Sequence, residues 1–135
     1  MAGCVLNTIN TRLEAETIAY ILADSDSRLL LADTAFHDTV IAALQLLDHD
    51  IDVIDIRDEA LGNLPPIGKI DYEAFIATGE LDYEWHPPED EWQALTLSYT
   101  SGTSGRPKGV VYHHRGSYLM SFGTVAAWQL GQHPT

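Results

Sequence analysis

Apolar and polar positions alternate along the first half of the chain in two distinct periods. Residues 4–7 form a short apolar run, the kind a buried strand makes. Over residues 14–24, Ala15, Ile18, Ala19, Ile21 and Leu22 recur at spacings of three and four, which predicts an amphipathic helix. Thr11 and Glu14 ahead of it read as a capping box, a hydroxyl and a carboxylate satisfying each other's free backbone donors. Residues 29–32 predict a second buried strand. Residues 35–47 predict a second helix, with Phe36, Val40, Ala43, Leu44 and Leu47 on one face. Residues 51–56 are strand-like, and the carboxylate of Asp55 is expected at a sheet edge or at the strand's end.

This βαβαβ order with short connections favours an α/β fold: parallel-sheet βαβ layers with helices on the faces. The middle of the chain is less regular. Residues 62–68 carry two glycines and two prolines and predict a loop. A short helix is expected over 71–78, stopped by Gly79, and residues 85–91 form a polar, proline-containing connection. Residues 94–99 then read as a strand and 110–113 as another. The last predicted element is a helix from Arg115 to Leu130, with Leu119, Val125 and Leu130 as its apolar positions and Gly131 ending it. Trp85, Trp92 and Trp128 are expected to be packing residues, and Cys4 a small core residue.

Charge adds what the pattern omits. The 135 residues carry a formal charge of −13, which disfavours nonspecific binding to nucleic acid or an anionic membrane surface. No apolar run approaches the roughly 18 residues of a membrane span. No basic stretch followed by an apolar one stands at the start, so a cytoplasmic protein is expected. One cysteine excludes an internal disulfide and a cysteine-based zinc site. All twenty carboxylates lie in residues 1–91, an acidic βα portion; residues 92–135 hold Arg106, Lys108 and Arg115 and no acid. Such asymmetry directs attention to an anion site in the basic portion.

Residues 100–109 are the candidate. Gly102, Gly105 and Gly109 allow positive φ and close approach of a ligand to the backbone. Successive backbone N–H groups in such a turn make a concave anion nest. Thr100, Ser101, Thr103 and Ser104 add hydroxyl donors, and Arg106 and Lys108 add positive charge. The bland alternative is a flexible Ser/Thr/Gly linker, but linkers do not usually connect two strands within ten residues. The common G-x-x-x-x-G-K-[ST] loop fails, because Pro107 falls where its second glycine belongs and Gly109 follows Lys108. A dinucleotide G-x-G-x-x-G fingerprint is absent. His113 and His114 are adjacent on a strand and point to opposite faces, so they do not chelate one ion, and no metal site is expected.

The run Leu97-Ser98-Tyr99-Thr100-Ser101-Gly102-Thr103-Ser104-Gly105-Arg106-Pro107-Lys108-Gly109 resembles the phosphate-loop signature of the adenylate-forming, or AMP-binding, superfamily. Ser104 stands where threonine is commoner and keeps the hydroxyl. Residues 3–13 resemble the family's small strand followed by Asn-x-Arg, and residues 110–116 resemble the acyl-CoA synthetase branch acting on short- or medium-chain acids. In that family His114 matches a histidine given a structural or pocket-wall role. The resemblance covers nearly the whole chain, but only an incomplete portion of the family's large N-terminal domain.

The resemblance implies an ATP-dependent ligase. A carboxylic acid, expected to be a short- or medium-chain fatty acid, attacks the α-phosphorus of ATP–Mg2+, and coenzyme A then displaces AMP. Thr100, Ser101, Gly102, Thr103, Ser104, Gly105 and Lys108 would cradle the phosphates, with Lys108 as a point charge. The signature leaves the position of Arg106 unspecified. Residues for magnesium, adenine, ribose and coenzyme A lie in family segments downstream of this loop, so no catalytic residue is assigned here and the chain by itself is expected to be inactive. Two alternatives remain at this point: a non-catalytic nucleotide- or phosphate-binding module, and part of another adenylate-forming enzyme such as an amino-acid adenylation domain. A partial sheet with open strand edges also predicts poor solubility or partial disorder.

Overall fold

A computed structural model of the chain describes residues 3–101 and 105–129. Its elements run β1 (Leu6–Thr8), α1 (Ala15–Asp24), β2 (Leu29–Asp33), α2 (His37–Leu44), β3 (Asp52–Ile56), β4 (Ile70–Asp71), α3 (Tyr72–Ile76), β5 (Ala94–Thr100), β6 (Lys108–His113) and α4 (His114–Ala127). They divide into two compact units, one of residues 9–83 and one joining residues 1–8 to 84–135.

The 9–83 unit is an α/β layer. Its sheet has the order β2-β3-β4, all parallel, with Leu29 opposite Asp52 and Ile54 opposite Ile70. Helices α1 and α2 supply the core: Ile18, Ala19, Leu22 and Ala43 are buried together, flanked by Leu13, Leu30, Leu47 and Ile51. These are the apolar positions that the three-and-four spacing singled out. Helix α1 begins later than a Thr11 cap requires. Asn10 closes a turn first, its Oδ1 accepting from Arg12 N at 3.0 Å and its carbonyl from Leu13 N at 3.2 Å. Glu14 therefore becomes the N-cap, with no side-chain cap bond, and the expected capping box does not form. The second helix is preceded by a 3-10 turn, Thr34–Phe36, which starts when Asp33 accepts from Ala35 N at 2.8 Å.

Asp55 departs most from expectation. It lies in the central strand, between Ala32 of β2 and Asp71 of β4, and is 1% exposed. Its carboxylate is satisfied by the backbone of the 62–68 loop: Gly68 N donates at 2.7 Å and Ile67 N at 3.2 Å to each oxygen. A buried carboxylate is tolerable where such donors replace water. Gly68 belongs there for space, because a Cβ would stand 2.1 Å from the Val53 carbonyl oxygen.

The other unit is built on a sheet of order β1-β5-β6. β1 is parallel to β5, with Leu6 opposite Thr96, and β5 is antiparallel to β6. The first strand thus pairs with one about ninety positions downstream, not with β2, so the βαβαβ run is shared between two sheets. Helix α4 buries none of its residues; Leu119 and Val125 are both exposed. Leu130 and Gly131 lie outside the described residues. Cys4 and the three tryptophans are likewise exposed, Trp128 to 77%. Among its described residues this unit has one sheet and one helix, too little mass to enclose large side chains.

Candidate phosphate-binding site

The β5–β6 hairpin positions the candidate loop. Its two feet are direct cross-strand partners, Thr100 at the end of β5 and Lys108 at the start of β6. Directly opposed residues in an antiparallel pair share a face, so the threonine hydroxyl and the lysine ammonium stand on the same side of the ribbon. Both residues are exposed, as are Ser101, Gly105 and Arg106. The Thr100 hydroxyl lies 3.5 Å from the Lys108 carbonyl oxygen, a long contact that leaves it able to turn toward a ligand.

Gly105 carries the conformational freedom expected of it. Its φ is +91°, and a Cβ built there meets nothing within 4 Å. It opens its backbone to the loop's surroundings in a conformation that L side chains rarely adopt. Gly109, by contrast, has no positive φ; it is an extended residue of β6. Gly102, Thr103 and Ser104 lie outside the described residues, so four of the seven proposed cradle residues, Thr100, Ser101, Gly105 and Lys108, have a described position.

The charge balance of the unit is less favourable to an anion than the linear count suggests. The unit holds four carboxylates, Glu84, Glu89, Asp90 and Glu91, against three cations. Arg115 is ion-paired with Glu91, and its backbone N–H also bonds the Glu91 carbonyl at 2.9 Å. Among the described residues no carboxylate is within ion-pair distance of Lys108. Its charge is therefore available to an anion at the loop.

One cluster escaped the sequence reading. His113 ends β6 and His114 begins α4, so the pair straddles two elements, not one strand. His113 is the N-cap of α4, its Nδ1 accepting from Gly116 N at 2.9 Å. That assigns the neutral tautomer with hydrogen on Nε2. Gly116 makes room for the ring: a Cβ there would stand 2.9 Å from His113 Cε1. The Trp92 ring lies 4.7 Å from the imidazole on a tilted plane, and the Arg115 guanidinium stands 5.8 Å from the Trp92 ring centre. The cluster fastens the segment before β5 to the start of α4, at the opposite end of the hairpin from the loop. Only a histidine next to a glycine three residues on hinted at it. Among the described residues no group of three or more His, Cys, Asp or Glu side chains converges as a metal site.

Known proteins share both the sequence and the fold. The family described as AMP-binding enzyme matches residues 1–134. The peroxisomal acetate/butyrate–CoA ligase of Arabidopsis thaliana is 41% identical, over 95% of this chain and 25% of its own length. The acetate–CoA ligase of Humulus lupulus is 39% identical, over 98% of this chain and 25% of its own. The crystal structure of the anthranilate CoA ligase AuaEII with anthranoyl-AMP superposes with a TM-score of 0.76 at 25% identity, covering 89% of this chain and 22% of that one. The chain thus spans about a quarter of the length of the curated relatives it matches, in keeping with a portion of a larger adenylate-forming fold. Among the described residues no helix is long and apolar enough to cross a membrane. With a family match running through nearly every residue and acyl-CoA ligases as relatives, the chain belongs to the AMP-binding enzyme family.

Proposed function

We propose that this chain is the phosphate-gripping part of an ATP-dependent acyl-CoA synthetase acting on a short-chain carboxylic acid. The observation that carries the reading is the hairpin: Thr100 and Lys108 face each other across the feet of a glycine-bearing loop, with no carboxylate among the described residues within ion-pair distance of Lys108. Negative charge builds on pyrophosphate as it leaves the α-phosphorus. Donors aimed at the β- and γ-phosphates stabilise that charge more in the transition state than in the ground state. Thr100, Ser101, Gly102, Thr103, Ser104 and Gly105 would supply donors, and Lys108 a protonated point charge. On this reading residues 92–135 are the phosphate-loop portion, and residues 1–91 the acidic βα portion.

The substrate class rests on relatives named for acetate, butyrate and 2-methylpropanoate, which favours acyl-CoA formation over amino-acid adenylation. Magnesium and coenzyme A serve the family's reaction, and neither is assigned a residue of this chain. Some relatives carry the word peroxisomal in their names, and fractionation of tagged protein distinguishes that location from a cytoplasmic one.

Calorimetry with ATP–Mg2+ tests the grip. The chain should bind, and Lys108→Ala should weaken binding about tenfold or more, the loss of a charge-assisted contact. No heat at millimolar nucleotide would overturn the reading. Carboxylate-dependent ATP–pyrophosphate exchange by the 135-residue chain alone would show that it holds more of the pocket than the grip.

A further inference from the structure

We infer that Tyr99 is a positioning residue for the phosphate loop, acting through the space left by Gly109. The inference rests on the reading of residues 100–109 as that loop. Next to the Thr100–Lys108 pair, Tyr99 is the direct partner of Gly109, and Leu97 that of Val111. Side chains alternate along a strand. Tyr99, Leu97 and the vacant side of Gly109 therefore share the face opposite to the Thr100 hydroxyl and the Lys108 ammonium. A Cβ on Gly109 would stand 3.0 Å from Leu97 Cδ1, 3.4 Å from Tyr99 Cζ and 3.5 Å from its hydroxyl oxygen. The leucine and the tyrosine ring thus fold across β6 in the volume where a side chain would otherwise be.

Gly109 is not needed for backbone conformation, since its φ is not positive. A glycine inside a strand weakens pairing, because it has nothing to pack. An aromatic ring laid over it from the opposite strand restores cross-strand contact. Two features make this contact matter. The pairing of β5 with β6 has an irregularity between Ala94 and Thr96, so register is carried by the segment from Thr96 to Thr100. The next residues of β6, Val110 and Val111, are themselves exposed and offer little other hold. Tyr99 sits one residue from the loop on one strand, and Gly109 one residue from Lys108 on the other. The ring fixes where Lys108 begins without touching anything held on the Lys108 face.

A double-mutant cycle read two ways tests this: calorimetry with ATP–Mg2+, and amide hydrogen exchange over residues 98–100 and 108–110. Tyr99→Phe keeps the ring and should lose much less than Tyr99→Ala in both. Tyr99→Ala should speed exchange at both strand ends and weaken ATP–Mg2+ about tenfold, the order of loss that a small misplacement of a binding group produces. Gly109→Ala should weaken both in the parent, because Leu97 must move aside while the Tyr99 ring is already in van der Waals contact with the added methyl. In the Tyr99→Ala background the same methyl should cost less, since Leu97 can then move into the vacated space. Additive effects would overturn the inference, and so would a loss in Tyr99→Phe equal to that in Tyr99→Ala, which would place the effect in the hydroxyl. If Tyr99→Ala fails to fold, Tyr99→Leu takes its place in the cycle, removing the ring while keeping an apolar side chain. If the parent binds no ATP–Mg2+, the phosphate-loop reading falls, while the exchange cycle still judges the clamp.

Discussion

Removing the Asp55 carboxylate should release the 62–68 loop and destabilise the β2-β3-β4 sheet. Two kinds of partner hold the group. Arg57 stands 3.9 Å away with its side chain 49% exposed, whereas Gly68 N and Ile67 N donate from within the fold at 2.7 and 3.2 Å. A half-exposed ion pair at that separation contributes about 0–1 kcal/mol. A backbone hydrogen bond to a charged acceptor contributes about 1.5–3 kcal/mol, against about 0.5–1.5 for a neutral one. The backbone donors therefore dominate. Asp55→Asn can still accept from Gly68 but loses the charge, and should cost about 2 kcal/mol over the two bonds. Asp55→Ala leaves two donors unsatisfied and should cost about 3–5 kcal/mol, while Arg57→Ala should cost under about 1 kcal/mol. Urea unfolding followed by circular dichroism measures the ranking, and exchange of the Ile67 and Gly68 amides locates it. Gly68→Ala should reproduce the Asp55→Ala loss by another route, pressing a methyl against the Val53 carbonyl. If Arg57→Ala were the costliest of these changes, or if Asp55→Ala left the two amides protected, the assignment of the loop's anchor would be wrong.

Two further outcomes are expected. His113→Ala removes the N-cap of α4 and should cost about 1 kcal/mol, with His113→Asn retaining most of it; helix content and the exchange rate of the Gly116 amide report the change. The Asp48 carboxyl is held below its ordinary range chiefly by the hydrogen bond from His49, 2.9 Å away. A depressed carboxyl contributes stability above its unfolded value and loses it as pH falls through the folded one. An NMR titration should therefore find Asp48 lowered and His49→Ala should return it toward normal; an unchanged Asp48 in that variant would refute the cause.

The helices of the 9–83 unit were legible because their signal is local. Ile18, Ala19, Leu22 and Ala43 fall at helical spacing and meet in one core. What escaped was set by partners far along the chain. Asp55 reads as an edge residue when only its strand is considered, and becomes a central one because donors arrive twelve and thirteen residues later. Leu6–Thr8 reads as the first strand of a βαβ run, yet nothing in three residues shows that Thr96–Ser98 is its partner. The same holds for Trp92 and His113, each ordinary alone and a cluster once the hairpin closes. Local pattern specifies elements; it does not specify which edges meet.

The site divides along the same line. The spacing of hydroxyls, glycines and Lys108 points in the sequence to the proposed phosphate grip, because a polyphosphate demands many donors and net positive charge in a short stretch. Gly105 and Gly109, however, looked equivalent in the sequence and are not equivalent in the fold. Gly105 supplies a positive φ, whereas Gly109 supplies room for Leu97 and Tyr99. Substitution should separate the two roles by the residue tolerated. Asparagine, which visits the left-handed region more readily than most residues, should be the mildest replacement at Gly105. At Gly109 any added side chain meets the same two neighbours, and relief should come from trimming Leu97 or Tyr99. An asparagine at Gly105 as harmful to ATP–Mg2+ binding as a valine there would show that space, not φ, governs that position also.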